Sequence, residues 1–121
     1  MKKTLLSLLL ALCAWSAHAQ KTEPLALEDS ASWCMVLLPD PQSYIKFDYN
    51  QPVFELMQQW IRHNRDRLNI RLVLCTGDLV EQNNKMTAPD GINGNQTSPQ
   101  QWRAVSRAFG ILDDAVPYIL C

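Results

Sequence analysis

The sequence predicts an α/β protein in which parallel strands alternate with helices. Three short apolar runs, at residues 33–38, 70–75 and 118–121, are bounded by turn residues and suit buried strands. Apolar residues recur at helical spacing in both segments between these runs. Strands that alternate with helices favour parallel pairing through right-handed crossovers. We therefore expect a β-α-β-α-β unit whose first strand is buried on both faces of the sheet.

The first predicted helix begins near Gln51, because Asn50 is a favourable cap and Pro52 suits the first turn. Apolar residues at helical spacing predict the side that packs on the sheet: Val53, Phe54, Met57, Trp60, Ile61 and Leu68. Polar residues predict the solvent side: Glu55, Gln58, Arg62 and Arg65. His63 is expected on that polar side, as a solvated residue rather than a metal ligand.

The second predicted helix starts at Ser98 and Pro99, a cap and first-turn pair, and ends near Leu112. Its expected apolar side consists of Trp102, Val105, Ala108, Phe109 and Leu112. A long polar stretch, residues 81–98, precedes it, and loops of this length are usually functional or disordered. This stretch contains Asn95-Gln96-Thr97, which matches a glycosylation sequon, although such short matches occur often by chance.

The amino terminus has the pattern of an export signal. Lys2 and Lys3 precede an apolar run at residues 5–14, and Ala17-His18-Ala19 has the small-x-small form that signal peptidase requires. The run is too short to cross a hydrocarbon layer of roughly 30 Å. The alternatives are an uncleaved anchor and a buried first helix, which have a similar sequence pattern. We expect a signal peptide at 1–19, a leader at 20–32, and a periplasmic or extracellular mature protein.

Composition excludes several classes of protein. The chain is 47% hydrophobic and 19% charged, and removal of Lys2 and Lys3 with the signal peptide takes its net charge from −1 to −3. Without a basic stripe, no nucleic-acid surface is indicated. No second apolar run is long enough for a membrane span after signal cleavage. Three cysteines remain, Cys34, Cys75 and Cys121, and we interpret them as small buried strand residues, with at least one unpaired within the chain.

The last predicted strand reaches the final residue, Cys121, with no loop or helix after it. Three strands and two helices leave one sheet edge open and enclose little core. We therefore expect residues 33–121 to form the amino-terminal part of a longer domain.

Two aspartates follow successive predicted strands. Asp40 comes just after the first, and Asp78 follows the second after Gly77, which permits a sharp turn. Loops beyond the carboxyl ends of parallel strands form the sites of open α/β sheets. Two carboxylates that converge there favour a divalent cation, because their charges otherwise repel. The alternative is that both aspartates only cap helices or form turns.

The arrangement of Asp40-Pro41-Gln42 after one strand and Gly77-Asp78-Leu79-Val80-Glu81 after the next resembles the calcineurin-like metallophosphoesterases. That family has D-x-H, then G-D-x-x, then G-N-H-D/E, each after a strand, followed by further histidines. Residues 117–121 are similar to the strand that leads into its third motif. The resemblance covers the chain from about Trp33 and implies part of the family's four-layer sandwich.

The resemblance also implies roles for individual residues. Asp40 is similar to a ligand of the first metal, and Asp78 to the aspartate that bridges two metals. Gln42 stands where the family has histidine. Three roles are therefore expected as alternatives: weak metal binding, metal binding through a water molecule, or positioning of the substrate. Asn83 and Asn84 would lie at the mouth of the site as substrate-binding residues, or serve only as turn residues. The implied cofactors are two divalent ions, Mn, Fe or Zn.

The resemblance therefore implies an exported metal-dependent hydrolase whose substrate is a phosphate ester. No residue with a direct catalytic role in that family is expected within these 121 residues, so this portion alone is expected to be inactive. The first alternative is a non-catalytic relative that binds a ligand or partner. The second is a serine α/β hydrolase, which the absence of a G-x-S-x-G sequence disfavours.

Overall fold

A computed structural model describes residues 25–86 and 93–121 of the chain. The predicted signal peptide at 1–19 and the first residues of the predicted leader lie outside the described residues. So do residues 87–92 of the polar stretch.

The described residues form a three-stranded parallel sheet. Its strands are β1 (Cys34–Leu38), β2 (Ile70–Cys75) and β3 (Tyr118–Leu120), in the order β1-β2-β3. Leu38 pairs with Cys75, and Cys75 pairs with Leu120, so the three carboxyl ends are level. The predicted α/β class and the parallel strand order are therefore confirmed.

Two helices connect the strands, as predicted, and two short helical segments lie between β1 and the first of these helices. The crossover helices are α2 (Gln51–Asn64) and α3 (Ser98–Gly110). In the sequence, Pro39, Pro41, Ser43 and Asn50 predict only a loop after the first strand. The structure instead has a four-residue helix, α1 (Gln42–Ile45), and a 3-10 turn at Asp48–Asn50 in this segment. The short helix forms because the backbone N–H groups of Tyr44 and Ile45 donate to the carbonyl of Pro41.

Thr97, rather than Ser98, caps the amino terminus of α3. Thr97 and Gln100 form a capping box, in which the Thr97 side chain bonds to the backbone of Gln100 and the Gln100 side chain accepts from the Thr97 N–H. Ser98 is the first helical residue, and Pro99 follows it. The predicted start was therefore one residue late.

One face of the sheet holds the core. Both crossovers run in the same direction along the sheet, so right-handed connections put α2 and α3 on the same side. The rings of Phe54 and Phe109 meet edge to face at 5.6 Å between the two helices. The buried apolar residues include Leu38, Ile61, Leu68, Val73, Cys75, Val105, Ala108 and Leu112.

The opposite face of the sheet is open in the described part of the chain. Met35, Leu37 and Ile119 point away from the helices and are 49%, 56% and 50% exposed. The prediction that the first strand is buried on both faces was therefore wrong for Met35 and Leu37. The apolar run identified the strand correctly, but the two helices cover only one side of it.

The predicted orientation of α2 was partly wrong. Phe54 and Ile61 are buried, whereas Val53, Met57 and Trp60 are exposed by more than a third. Gln58, which was expected in solvent, is completely buried. The apolar residues of this helix form two neighbouring stripes, and only the stripe through Phe54 and Ile61 faces the core.

None of the helices among the described residues is long and apolar enough to cross a membrane.

Candidate metal site

The parallel register brings the two predicted aspartates to one edge of the sheet. Because Leu38 pairs with Cys75, β1 and β2 end side by side. The Thr76 N–H donates to the Leu38 carbonyl at 3.1 Å and continues the pairing past the strand ends. Asp40 and Asp78 follow directly, and both are exposed to solvent. The loops that carry them are thus neighbours, as the sequence predicted.

Gln42 joins these two loops. Its backbone N–H donates to the Asp78 carbonyl at 3.0 Å, and its side-chain Nε2 lies 3.2 Å from Oδ2 of Asp78. One residue therefore contacts both the backbone and the carboxylate of Asp78. Of the three predicted metal-binding residues, Gln42 and Asp78 are in direct contact, and Asp40 lies two residues before Gln42.

The backbone at this edge adopts an uncommon conformation. Asp40 and Asp78 have φ angles of 37° and 48°, in the left-handed region, and Gly77 has a φ of 124°. Aspartate tolerates the left-handed region better than most residues, and only glycine adopts the Gly77 conformation without strain. These angles turn the chain sharply at the end of β2, which explains the Gly-Asp pair. They fit the turn-forming interpretation of the aspartates as well as the ligand interpretation.

Gln101 of α3 holds the loop that carries Asp78. Its Nε2 donates to the carbonyls of Glu81 and Gln96 at 3.0 and 2.9 Å, and its Oε1 accepts from the Glu81 N–H at 2.8 Å. The Glu81 carboxylate also forms a 3.4 Å ion pair with Lys46. The sequence analysis did not predict this role for Gln101. The helical spacing could have shown that Gln101 is buried, because Ala104, Val105 and Ala108 follow it at three, four and seven residues on the buried side of α3.

Asn83 and Asn84 occupy the centre of a turn closed by a hydrogen bond from the Lys85 N–H to the Gln82 carbonyl at 3.0 Å. The Asn83 side-chain oxygen accepts from Trp102 Nε1 at 2.7 Å and from the Ser98 hydroxyl at 3.1 Å. Asn83 therefore ties the loop to α3, which fits the turn interpretation. A role for either asparagine in substrate binding stays a prediction.

The sequon residue Asn95 has a structural role. Its Nδ2 donates to Oδ1 of Asp48 at 2.8 Å, and its Oδ1 accepts from the Asp48 N–H at 3.0 Å. Glycosylation would modify that same Nδ2. Next to it, a side chain on Gly94 would lie 2.4 Å from the Lys46 carbonyl oxygen. The end of the polar stretch is thus packed closely against the segment between α1 and α2.

A thiol lies beneath the candidate site. Cys75 is buried at the end of β2, and burial raises the pKa of its thiol, to which the nearby Cys121 and Asp40 also contribute. The thiol is therefore protonated at neutral pH. Cys34 is half-buried and Cys121 is exposed, so the interpretation of all three as buried strand residues was right for Cys75 alone. No disulfide joins these three cysteines.

The donor chemistry of the site determines which cation it fits. Two carboxylates and an amide oxygen are hard oxygen ligands, which suit Mg²⁺, Ca²⁺ or Mn²⁺. Residues 25–86 and 93–121 contain no group of three or more His, Cys, Asp or Glu side chains that is placed to hold a metal ion. His63 is exposed on α2, as expected. Among the described residues, Asp40, Gln42 and Asp78 offer only oxygen atoms as potential ligands, and the two-ion site stays a prediction.

No known protein family, curated protein or solved structure matches the chain.

Proposed function

We propose that this chain contributes two metal-binding loops to an exported, metal-dependent phosphoester hydrolase of the calcineurin-like type. The supporting observation is the contact between Gln42 and Asp78, which come from the loops after two neighbouring parallel strands. Their positions correspond to the first two strand-end motifs of that family. Export rests on the sequence pattern of residues 1–19.

In this proposal the side chains at the sheet edge have distinct tasks. The carboxylates of Asp40 and Asp78 supply the negative charge that holds divalent ions. Gln42 fixes the direction of the Asp78 carboxylate through its hydrogen bond of 3.2 Å. When bound, the ions would polarise the phosphoryl group of the substrate. Gln101 and the Lys46–Glu81 ion pair keep the Asp78 loop against α3 and α1.

The same contact also supports the alternative, a non-catalytic relative that binds a ligand or partner. Gln42 replaces the imidazole of the family's first motif, and its Nε2 already satisfies one oxygen of Asp78. A site with this substitution binds transition metals less strongly. The two proposals differ in whether a chain that carries this site hydrolyses phosphate esters.

Reading the coding sequence past the codon for Cys121 separates the two proposals. The hydrolase requires G-N-H followed by Asp or Glu within the next few codons, and histidines later. A stop codon directly after Cys121 would exclude catalysis by this chain and favour the binding module. Where the third motif is present, Mn²⁺-dependent hydrolysis of p-nitrophenyl phosphate by the purified protein should be lost in Asp78→Asn.

A further inference from the structure

We infer that Asn93 is a modification site, at which the side-chain amide is lost by ring closure onto the backbone nitrogen of Gly94. The inference does not rest on the proposed metal-binding function. Asparagine is among the thermolabile residues of proteins, and this reaction needs only water as a co-reactant. Of the asparagines within residues 25–86 and 93–121, Asn93 alone is followed by glycine.

The peptide bond between Asn93 and Gly94 is accessible, and the chain is anchored on both sides of it. Asn93 is exposed, and its side chain makes no hydrogen bond with the described residues. The Asn93 N–H donates to Oε1 of Gln82 at 2.6 Å, and the Asn95 N–H donates to the Lys46 carbonyl at 2.9 Å. Between these two bonds, the Gly94 N–H donates to none of the described residues. The Gly94 nitrogen is therefore available for attack.

The glycine is what makes ring closure possible at this position. The Gly94 nitrogen must approach Cγ of Asn93, and a side chain on the second residue would crowd that approach. Gly94 also has a φ of 142°, which only glycine adopts without strain. Asn83 and Asn95 are followed by asparagine and glutamine, and their side chains are hydrogen-bonded to α3 and to the 3-10 turn. Their amides are therefore expected to persist.

The reaction balances without an enzyme or an oxidant. The Gly94 nitrogen loses its proton and bonds to Cγ of Asn93, while the bond from Cγ to Nδ2 breaks. Nδ2 leaves with that proton as ammonia, and a succinimide ring remains. Water opens the ring at the Cγ carbonyl to give aspartate, or at the main-chain carbonyl to give isoaspartate, whose main chain runs through Cβ and Cγ. Both products carry a carboxylate in place of the neutral amide.

Isoaspartate does not fit the packing of this segment. It adds one carbon, about 1.5 Å of main chain, between the anchors on Gln82 and Lys46. Gly94 cannot move toward Lys46, because there is no space even for a Cβ against the Lys46 carbonyl. The added length therefore displaces Asn95 and breaks its two hydrogen bonds with Asp48. Modification thus frees the end of the polar stretch from the segment between α1 and α2.

Peptide mapping by mass spectrometry, after incubation of the purified protein at pH 8 in H₂¹⁸O, tests this inference. The new carboxylate takes up the label, and fragmentation locates it. Label is expected at position 93, as a mixture of aspartate and isoaspartate, while Asn83 and Asn95 remain amides. Asn93→Gln should take up no label there, because its longer side chain would have to close a six-membered ring. The matched control, Asn84→Gln at a nearby exposed position, should be labelled at Asn93 like wild type.

A second readout follows the packing. Modified protein is separated from unmodified protein by anion exchange, and hydrogen exchange should be faster at the N–H groups of Asp48 and Asn95 but unchanged in the strands. Freshly purified Asn93→Asp has the added charge without the added carbon, and it should exchange like wild type. No label at Asn93, equal label at Asn83, or aspartate as the sole product would overturn ring closure onto Gly94. Unchanged exchange in the isoaspartate form would overturn the release of the polar stretch.

Discussion

Nε2 of Gln42 lies 3.2 Å from Oδ2 of Asp78, although 36 residues separate them in the chain. The contact exists because β1 and β2 are adjacent and parallel, so that their carboxyl-end loops meet. It brings together two of the three residues that the sequence indicated as metal ligands. Asp40 shares the loop of Gln42, and the contact is therefore the centre of the candidate site.

The conformation of Gly77 predicts that even a methyl group is unfavourable there. Gly77→Ala should cost about 1–3 kcal/mol of unfolding free energy, because a φ of 124° is strained for any L side chain. Space is not the cause, since the new Cβ would lie 3.7 Å from the Cys121 carbonyl oxygen. Chemical denaturation followed by circular dichroism measures the change.

Gly110→Ala is the matched control for this prediction. Its new Cβ has the same 3.7 Å clearance, to an oxygen of Asp113, but Gly110 ends α3 without a positive φ. This substitution should stabilise the protein by up to about 1 kcal/mol, because alanine favours helix. Equal effects of the two substitutions would contradict the role assigned to the Gly77 backbone.

Gln101→Ala should loosen the loop that carries Asp78. It removes three hydrogen bonds and leaves the Glu81 N–H without its partner, at a cost of about 2–3 kcal/mol. Hydrogen exchange should accelerate at residues 79–86 more than in the strands. Gln59→Ala, at an exposed position of α2, should change stability by less than about 0.5 kcal/mol. Unchanged exchange in the loop would show that Gln101 does not hold it.

Gln58→Met should stabilise the protein. Gln58 is 0% exposed, and neither Nε2 nor Oε1 has a hydrogen-bond partner among the described residues. An apolar side chain of similar volume removes that unfavourable burial, which we expect to add about 1–2 kcal/mol to the unfolding free energy. Thermal denaturation provides the measurement, with Gln59→Met as the exposed control. A loss of stability in Gln58→Met would mean that the amide has a partner such as a buried water.

Because the Cys75 thiol is buried, we expect the free energy of unfolding to fall at high pH. Burial raises the thiol pKa in the folded protein above its unfolded value, so the protonated thiol favours folding. That contribution is fully present below the unfolded pKa of about 8.5 and is lost as pH rises through the folded pKa.

Urea denaturation from pH 7 to 10 should show this loss, and Cys75→Ala should reduce the slope. Val73→Ala, which also leaves a cavity in β2 but removes no ionisable group, should keep the wild-type slope. Equal slopes in all three proteins would contradict the assignment to Cys75.

The order of the main elements could be predicted because each has its own local signal. β2 is a continuous apolar run ended by Thr76 and Gly77, and it was predicted with both ends correct. The start of α2 at Gln51 was predicted from Asn50 and Pro52. The adjacency of the Asp40 and Asp78 loops followed from parallel pairing alone.

Other features depend on tertiary contacts that have no local signal. The segment that forms the short helix after Pro41 was predicted only as a loop, because its four residues are too few to show a helical period. The buried side of α2 could not be chosen, since Val53 and Phe54 begin two apolar stripes of similar strength. The side chain of Gln42 can contact Asp78 only when both strands are paired in register, because 36 residues separate the two positions.

Electron paramagnetic resonance of Mn²⁺ tests the central claim, that the edge formed by Asp40, Gln42 and Asp78 holds a divalent cation. Free Mn²⁺ gives a six-line spectrum that weakens when the ion binds protein. Titration of the purified protein should reduce this signal in wild type and leave it unchanged in Asp78→Asn. Asparagine tolerates the left-handed backbone at this position, so the fold should be preserved. Equal loss of signal in both proteins, or no loss in wild type, would contradict the account.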